Sequence, residues 1–173
     1  MNILLKEEDI KKRIKELGGA INNDYKHKKP ILIGVLKGAF VFLADLLREL
    51  KIPVEVDFLG ISSYTGTKSS GIERITQDLS LNIEDRDVIL IEDIVDSGRT
   101  LDYIINNLKT RKPRSIAVCA LLNKKDGRVV DVALTYIGFN YLEVFGVGFG
   151  FDYENTLRNL KVIGVYYGEK TTT

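Results

Sequence analysis

The architecture follows from one run near the middle of the chain, Val88-Ile89-Leu90-Ile91-Glu92-Asp93-Ile94-Val95-Asp96-Ser97-Gly98-Arg99-Thr100. Its apolar beginning predicts a buried strand. Two adjacent acids and a polar turn come next, and the spacing of the apolar residues after them predicts a helix over residues 100–108. The run therefore predicts a strand, a ligand-binding turn and a helix in direct succession.

The polar part of this run combines two kinds of binding group. Open α/β folds bind ligands at the carboxyl ends of their strands, where we expect Glu92 and Asp93 to lie. Backbone N–H groups that precede a helix can bind an anion, and Gly98 permits its close approach. Ser97 and Thr100 add hydroxyl donors. We therefore expect carboxylates suited to hydroxyl groups or hydrated Mg²⁺ beside a phosphate site.

Strand and helix patterns alternate along most of the chain. Further strands are predicted at residues 31–36, 54–58, 115–122 and 162–167, and further helices at residues 7–21 and 39–50. This alternation predicts an α/β fold, with a mostly parallel twisted sheet flanked by helices. Residues 62–77 form a long segment of mostly small and polar residues, which is typical of either an active-site lid or a merely mobile hairpin.

Composition narrows the class of protein. The 173 residues are 45% hydrophobic and 28% charged, which predicts a single globular domain over residues 1–173. The net charge of +1 gives no reason to expect nucleic acid or a membrane as partner. A lone cysteine, Cys119, excludes an intrachain disulfide and favours a reducing, cytoplasmic location. Charges and glycines interrupt the most apolar windows, so no membrane span is expected.

The run around Glu92–Thr100 resembles the phosphoribosyl-pyrophosphate (PRPP) motif of type I phosphoribosyltransferases. The whole chain from about Leu4 to Gly168 resembles their 6-oxopurine branch, the hypoxanthine-guanine phosphoribosyltransferases. The likeness rests on five ordered segments, at residues 34–39, 56–64, 92–100, 121–124 and 145–153. It implies the type I phosphoribosyltransferase fold, with a lid at residues 62–77 and a small hood from about residues 1–25 and 138–173.

The resemblance also implies an activity. The expected reaction transfers the 5-phosphoribosyl group of PRPP to N9 of hypoxanthine, and of guanine, to give IMP or GMP and pyrophosphate. Mg²⁺ is the implied cofactor, and a homodimer or homotetramer the implied assembly. A xanthine-preferring enzyme is an alternative, although that branch usually has Arg-Gly-Gly where this chain has Lys37-Gly38-Ala39. A PRPP-binding RNA or DNA regulator is less favoured, because the chain lacks a basic face and only about thirty residues precede the first strand.

The implied roles in PRPP binding can be assigned by position. Asp96 matches the proposed general base near purine N7, and whether it removes the proton or only orients the purine stays open. The PRPP and phosphate contacts fall on Lys37, Gly38, Glu92, Asp93, Asp96, Ser97, Gly98, Arg99, Thr100 and Arg158. The metal-binding acids fall on Glu92, Asp93 and Asp152. A cis peptide is implied between Leu36 and Lys37.

The implied purine site uses Lys124, Phe145, Gly146 and Asp152. Lys124 would donate to the 6-oxo oxygen, which excludes adenine because its amine is also a donor. Without the resemblance, Lys124 reads as a solvated lysine of a turn. Phe145 would stack on the purine, although a core position is a serious alternative. Ser63 and Tyr64 match the tip of the lid, which would keep water from the reactive sugar cation.

Overall fold

The computed structural model describes residues 1–63, 73–141 and 146–165. Of the residues singled out above, Tyr64 and Phe145 lie outside this part of the chain, and the predicted lid is described only at its two ends. In chain order, the elements are β1 Asn2–Leu5, α1 Glu7–Asp24, β2 Ile31–Leu36, α2 Phe40–Glu49, β3 Glu55–Ser63, β4 Glu73–Gln77, β5 Asp87–Val95, α3 Arg99–Lys109, β6 Ser115–Lys124, β7 Tyr136–Tyr141, β8 Gly146–Val147 and β9 Ile163–Val165.

A six-stranded sheet in the order β4-β3-β2-β5-β6-β7 forms the centre of the protein. All neighbours in it are parallel except β4, which pairs antiparallel with β3. The central strands β2 and β5 are almost wholly buried, as their unbroken apolar runs predict. The predicted α/β architecture is therefore confirmed.

Helices cover both faces of this sheet, and β5 shows how the sequence directs them. Successive side chains of a strand point to opposite faces. Ile89 and Ile91 accordingly pack in the core that contains the apolar sides of α1 and α2. Val88 and Leu90 pack in the second core, beneath Leu101 and the other apolar residues of α3. Because β5 is buried on both faces, it forms a rigid support for the turn that follows it.

Among the described residues, a second, smaller sheet is not hydrogen-bonded to the first, although Ile163 of its strand β9 packs in the same core. It has three antiparallel strands in the order β1-β9-β8, so it joins the two ends of the chain. The hood predicted at about residues 1–25 and 138–173 is wider than this sheet. Helix α1 belongs to the main core instead, and β7, which the sequence analysis missed, completes the large sheet. No helix within the described ranges is long and apolar enough to cross a membrane.

Candidate active site

Three neighbouring parallel strands, β2, β5 and β6, end at one edge of the large sheet. The turn that follows β5 borders a cavity of about 230 Å³, which is lined by Glu92, Asp93, Ile94, Val95, Asp96, Ser97, Gly98, Thr100 and Leu101. A larger cavity of about 650 Å³ lies between α1, α2 and residues 158–161. The larger one contains neither the paired acids nor the turn. The smaller cavity is therefore the candidate site, because the paired acids and the turn line it.

The turn between β5 and α3 has the shape expected of an anion site. Gly98 caps α3 in the left-handed region, with φ of 82°. A Cβ at this position would overlap the carbonyl oxygen of Val130, so a glycine is required here. The carbonyl of Ser97 accepts hydrogen bonds from the backbone N–H groups of Val129 and Val130. These two hydrogen bonds fix the position of the turn, and the N–H groups of the turn lie at the positive end of α3.

The two acids of the site lie at the end of β5 in an environment that favours their neutral forms. Burial, and then the charge of Asp93, raises the pKa of Glu92 well above its usual value. Oε2 of Glu92 is buried and has no hydrogen-bond partner among the described residues. Burial also raises the pKa of Asp93 to about 6. The backbone N–H of Ile94, which donates to the Asp93 carboxylate at 2.8 Å, has the opposite effect but is the weaker of the two. A cation or hydroxyl donor bound beside them would therefore stabilise the ionised forms of both groups.

The loop after β2 packs directly on these acids. The Leu36–Lys37 peptide bond is cis, as the resemblance implied. A Cβ at Gly38 would overlap the carboxylate of Asp93, and a Cβ at Gly150 would overlap the carbonyl oxygen of Gly38. Glycines at both positions therefore allow three segments, after β2, in β5 and after β8, to meet at one point.

Asp152 and Arg158 lie on the segment that follows β8. One guanidinium nitrogen of Arg158 is 2.7 Å from Asp152 Oδ1, and another donates to the carbonyl of Gly150 at 2.6 Å. The charge of Arg158 lowers the pKa of Asp93 and that of Asp152 raises it, so both groups act on the site electrostatically. Within the described residues, no three His, Cys, Asp or Glu side chains form a cluster that could hold a metal ion.

Lys124 and Asp96 come together from the ends of neighbouring strands. Lys124 Nζ is 3.2 Å from each carboxylate oxygen of Asp96. Behind this pair, Arg128 donates to the carbonyls of Val95, Asp96 and Lys124 and to the side-chain oxygen of Asn123. Arg128 thereby joins the turn after β5 to the end of β6, and it holds the backbones of both partners in place.

The structure brings most of the sequence-predicted residues to this edge of the sheet. Gly146 lies in β8 of the small sheet, where it pairs with Val165. Sequence analysis missed three contributors, Arg128, the buried Asn123 and Glu73, whose carboxylate accepts a hydrogen bond from the Thr100 hydroxyl at 2.8 Å. An asparagine at the end of an apolar strand was a usable signal for Asn123. The other two lie in ordinary polar segments and gave none.

Comparison with known proteins agrees with this geometry. Residues 1–154 match the family model of the phosphoribosyl transferase domain. The hypoxanthine-guanine phosphoribosyltransferase of Bacillus subtilis is 44% identical over 94% of this chain and 91% of its own. That of Streptococcus agalactiae serotype V is 47% identical with the same coverage.

Solved structures show the same relationship. A hypoxanthine phosphoribosyltransferase from Staphylococcus aureus has a TM-score of 0.93 at 38% identity, over 100% of this chain and 95% of its own. A Trypanosoma cruzi hypoxanthine phosphoribosyltransferase mutant, complexed with its product IMP, has a TM-score of 0.90 at 39% identity, over 98% and 91%. The chain therefore belongs to the phosphoribosyltransferase family, in the branch of the hypoxanthine-guanine phosphoribosyltransferases.

Proposed function

We propose that this enzyme transfers the 5-phosphoribosyl group of PRPP to N9 of hypoxanthine and guanine, which yields IMP or GMP and pyrophosphate. The observation that carries the proposal is the contact of Asp96 with Lys124 beside the cavity that Glu92, Asp93 and the anion-binding turn line. This contact brings a carboxylate and an ammonium group that can bind a 6-oxopurine next to groups that can bind a sugar phosphate. The IMP found in the Trypanosoma cruzi relative supports the same product class.

PRPP would be held at both of its phosphate ends. Its 5′-phosphate fits the turn formed by Ser97, Gly98, Arg99 and Thr100, whose backbone N–H groups and hydroxyls are donors. Its diphosphate would bind at the loop of Lys37 and Gly38, where Gly38 lies against Asp93. Arg158 is close enough to influence Asp93 and would offset the charge of the departing pyrophosphate. The ribose would then lie between the two ends, over the carboxylates of β5.

The carboxylates of Glu92 and Asp93 suit the electronic demand of the reaction. As the bond from the anomeric carbon to pyrophosphate breaks, positive charge develops on the sugar, as in glycoside chemistry. Ionised carboxylates accept hydrogen bonds from the ribose hydroxyls and stabilise this charge through space. Substrate hydroxyls would also satisfy Glu92 Oε2, which has no partner among the described side chains.

Mg²⁺ fits this donor set as the cofactor. Hard oxygen ligands are what it prefers, and it is commonly held by one or two carboxylates together with substrate phosphates and water. Glu92, Asp93 and Asp152 would hold it, and burial raises the pKa values of Glu92 and Asp93. When bound, Mg²⁺ would neutralise charge on the leaving pyrophosphate.

The purine would bind where Lys124 and Asp96 now meet. The ammonium group of Lys124 donates and cannot accept, so it suits the 6-oxo oxygen and opposes the amine of adenine. Asp96 would accept the hydrogen bond from N7 and take up its proton as N9 bonds to the sugar. Gly146 and Phe145 would complete the purine pocket, and Ser63 and Tyr64 would contribute the lid.

The proposal is tested by the products formed with a panel of bases. Purified protein is assayed for pyrophosphate release with PRPP and hypoxanthine, guanine, xanthine, uracil or adenine, with and without Mg²⁺. We expect Mg²⁺-dependent turnover with hypoxanthine and guanine, and little with adenine. A preference for xanthine would support the alternative enzyme of the same branch. Turnover with uracil alone would exclude the assigned role of Lys124.

We also propose a homodimer or homotetramer in the cytoplasm. This assembly is the one that the family resemblance implies. Sedimentation velocity would give the number of subunits. A monomer at micromolar concentration would contradict the proposed assembly.

A further inference from the structure

One hydrogen bond of the candidate site joins it to the edge of the large sheet. The hydroxyl of Thr100, in the first turn of α3, donates to Oε1 of Glu73 at 2.8 Å. Glu73 begins β4, which among the described strands is at the edge of the large sheet and pairs with β3. The two residues are 27 positions apart, so this contact depends on the tertiary structure.

The packing around this contact keeps Glu73 near the turn. Ile61 of β3 and Ile75 of β4 pack against the core cluster that contains Leu101. Leu101 follows Thr100 directly and lines the same cavity. Strands β3 and β4 therefore share a core with α3, and the carboxylate of Glu73 lies at the border of the phosphate site.

A phosphate group and the Glu73 carboxylate require the same donor. A hydroxyl has a single hydrogen and can donate it to one strong acceptor at a time. Two anions at the start of α3 would in addition repel each other across a few ångströms, where solvent screening is incomplete. A sugar phosphate that uses Thr100 must therefore displace the Glu73 carboxylate.

We propose that Glu73 competes with bound phosphate for the Thr100 hydroxyl. In the free enzyme the Glu73 carboxylate accepts the hydrogen bond of this hydroxyl, and this contact lowers the affinity of the enzyme for sugar phosphates. This inference rests on the proposed function, since it assigns the turn at Thr100 to the 5′-phosphate of PRPP. The competitor has a consequence for the fold as well. Phosphate binding releases the first residue of β4 from α3, and thus couples occupation of the turn to the edge of the sheet.

The inference is tested by calorimetric titration of the full-length protein with ribose 5-phosphate and with inorganic phosphate. The variant Glu73→Gln keeps the size and the accepting oxygen of the side chain but removes its charge. We expect it to bind both ligands about tenfold more tightly than the wild type, the effect of one charge-assisted hydrogen bond. The control Glu84→Gln makes the same charge change at an exposed residue of a turn away from the site, and should leave the dissociation constants unchanged.

A double-mutant cycle isolates the competition from general electrostatics. Thr100→Val removes the shared donor, so Glu73→Gln should tighten binding much less in that background than in the wild type. An equal gain in both backgrounds, or a dissociation constant for Glu73→Gln within about twofold of the wild-type value, would overturn the inference while the proposed function stands. If the wild type binds neither ribose 5-phosphate nor PRPP, the proposed function fails, and the inference fails with it.

Discussion

Lys124 Nζ lies 3.2 Å from both carboxylate oxygens of Asp96, so the proposed purine donor and the proposed base neutralise each other in the free enzyme. The Asp96 side chain is 53% exposed, and ion pairs in such settings contribute only about 0–1 kcal/mol. A purine can therefore separate them at small cost. It would then present its oxo oxygen to the lysine and its N7 proton to the aspartate.

Replacement of the proposed base should affect turnover more than substrate binding. In Asp96→Asn the carboxamide can still orient the purine but cannot take up a proton at neutral pH. We expect kcat to fall about 100- to 10,000-fold, with little change in the dissociation constant of PRPP. Single-turnover kinetics and calorimetry measure the two quantities, and Asp131→Asn, at an exposed position, is the control. Unchanged turnover would refute the role of Asp96 as base.

Replacement of Lys124 should alter the choice of base. Lys124→Ala removes the donor for the 6-oxo oxygen, which we expect to lower the ratio of kcat/KM for hypoxanthine over adenine by about 100-fold or more. The matched control is Lys125→Ala, since its neighbouring lysine is exposed and carries the same charge. Equal effects of the two variants on the ratio would show that charge, rather than the directed contact, governs selectivity.

The close approach of Gly38 to Asp93 predicts that this glycine cannot be enlarged. A Cβ at Gly38 would overlap the Asp93 carboxylate, so Gly38→Ala should displace that group and lower kcat/KM for PRPP about 100-fold. Gly19→Ala is the control, because no atom beyond its chain neighbours and the adjacent backbone of α1 lies within 4 Å of the added Cβ. In the middle of α1 that change should raise the free energy of unfolding by up to about 1 kcal/mol. Full activity of Gly38→Ala would contradict the described packing.

The elevated pKa of Asp93 predicts how stability depends on pH. Its pKa is about 6 in the folded protein and near 3.8 in the unfolded chain, so the folded state binds more protons between these values. The free energy of unfolding should therefore decrease as the pH rises from about 4 to about 6, and the loss should persist above pH 6. Asp93→Asn removes this group and should stabilise the metal-free protein at pH 7 by up to about 3 kcal/mol.

Urea unfolding between pH 4 and pH 8 measures this effect, in the absence of Mg²⁺ and of substrates. Asp131→Asn, at an exposed site, serves again as the control and should keep the wild-type pH profile. Parallel profiles for Asp93→Asn and the wild type would show that the burial of Asp93 is not coupled to folding.

Local patterns were sufficient for four strands of the large sheet, β2, β3, β5 and β6, but not for its outer strands β4 and β7. The apolar runs of β2, β5 and β6 and the helical spacing in α3 are periodicities that neighbouring residues set among themselves, so they predict elements and their order. The same holds for the turn at Ser97–Thr100, because an anion-binding turn before a helix is built from consecutive residues. The paired acids at the end of β5 were placed correctly for that reason.

Other parts of the fold have no strong local pattern. β1 and β8 are short and were not predicted, and they form strands by pairing with β9, which lies within the strand predicted at residues 162–167. β7 contains Gly138, where a Cβ would overlap the carbonyl oxygen of Leu121 in β6. The glycine at this position is required by the close approach of two backbones, and not by apolar periodicity. The sequence alone does not reveal that approach.

By itself, the sequence determined the α/β class, the parallel centre of the sheet, the position of the turn before α3 and the family to which the chain belongs. The tertiary structure alone determined which distant side chains meet: Lys124 with Asp96, Glu73 with Thr100, and the Gly38 backbone with Asp93. The physical reason is the range of the interactions involved. Periodic burial is encoded over a few residues, whereas contacts between segments depend on how all the packed layers fit together.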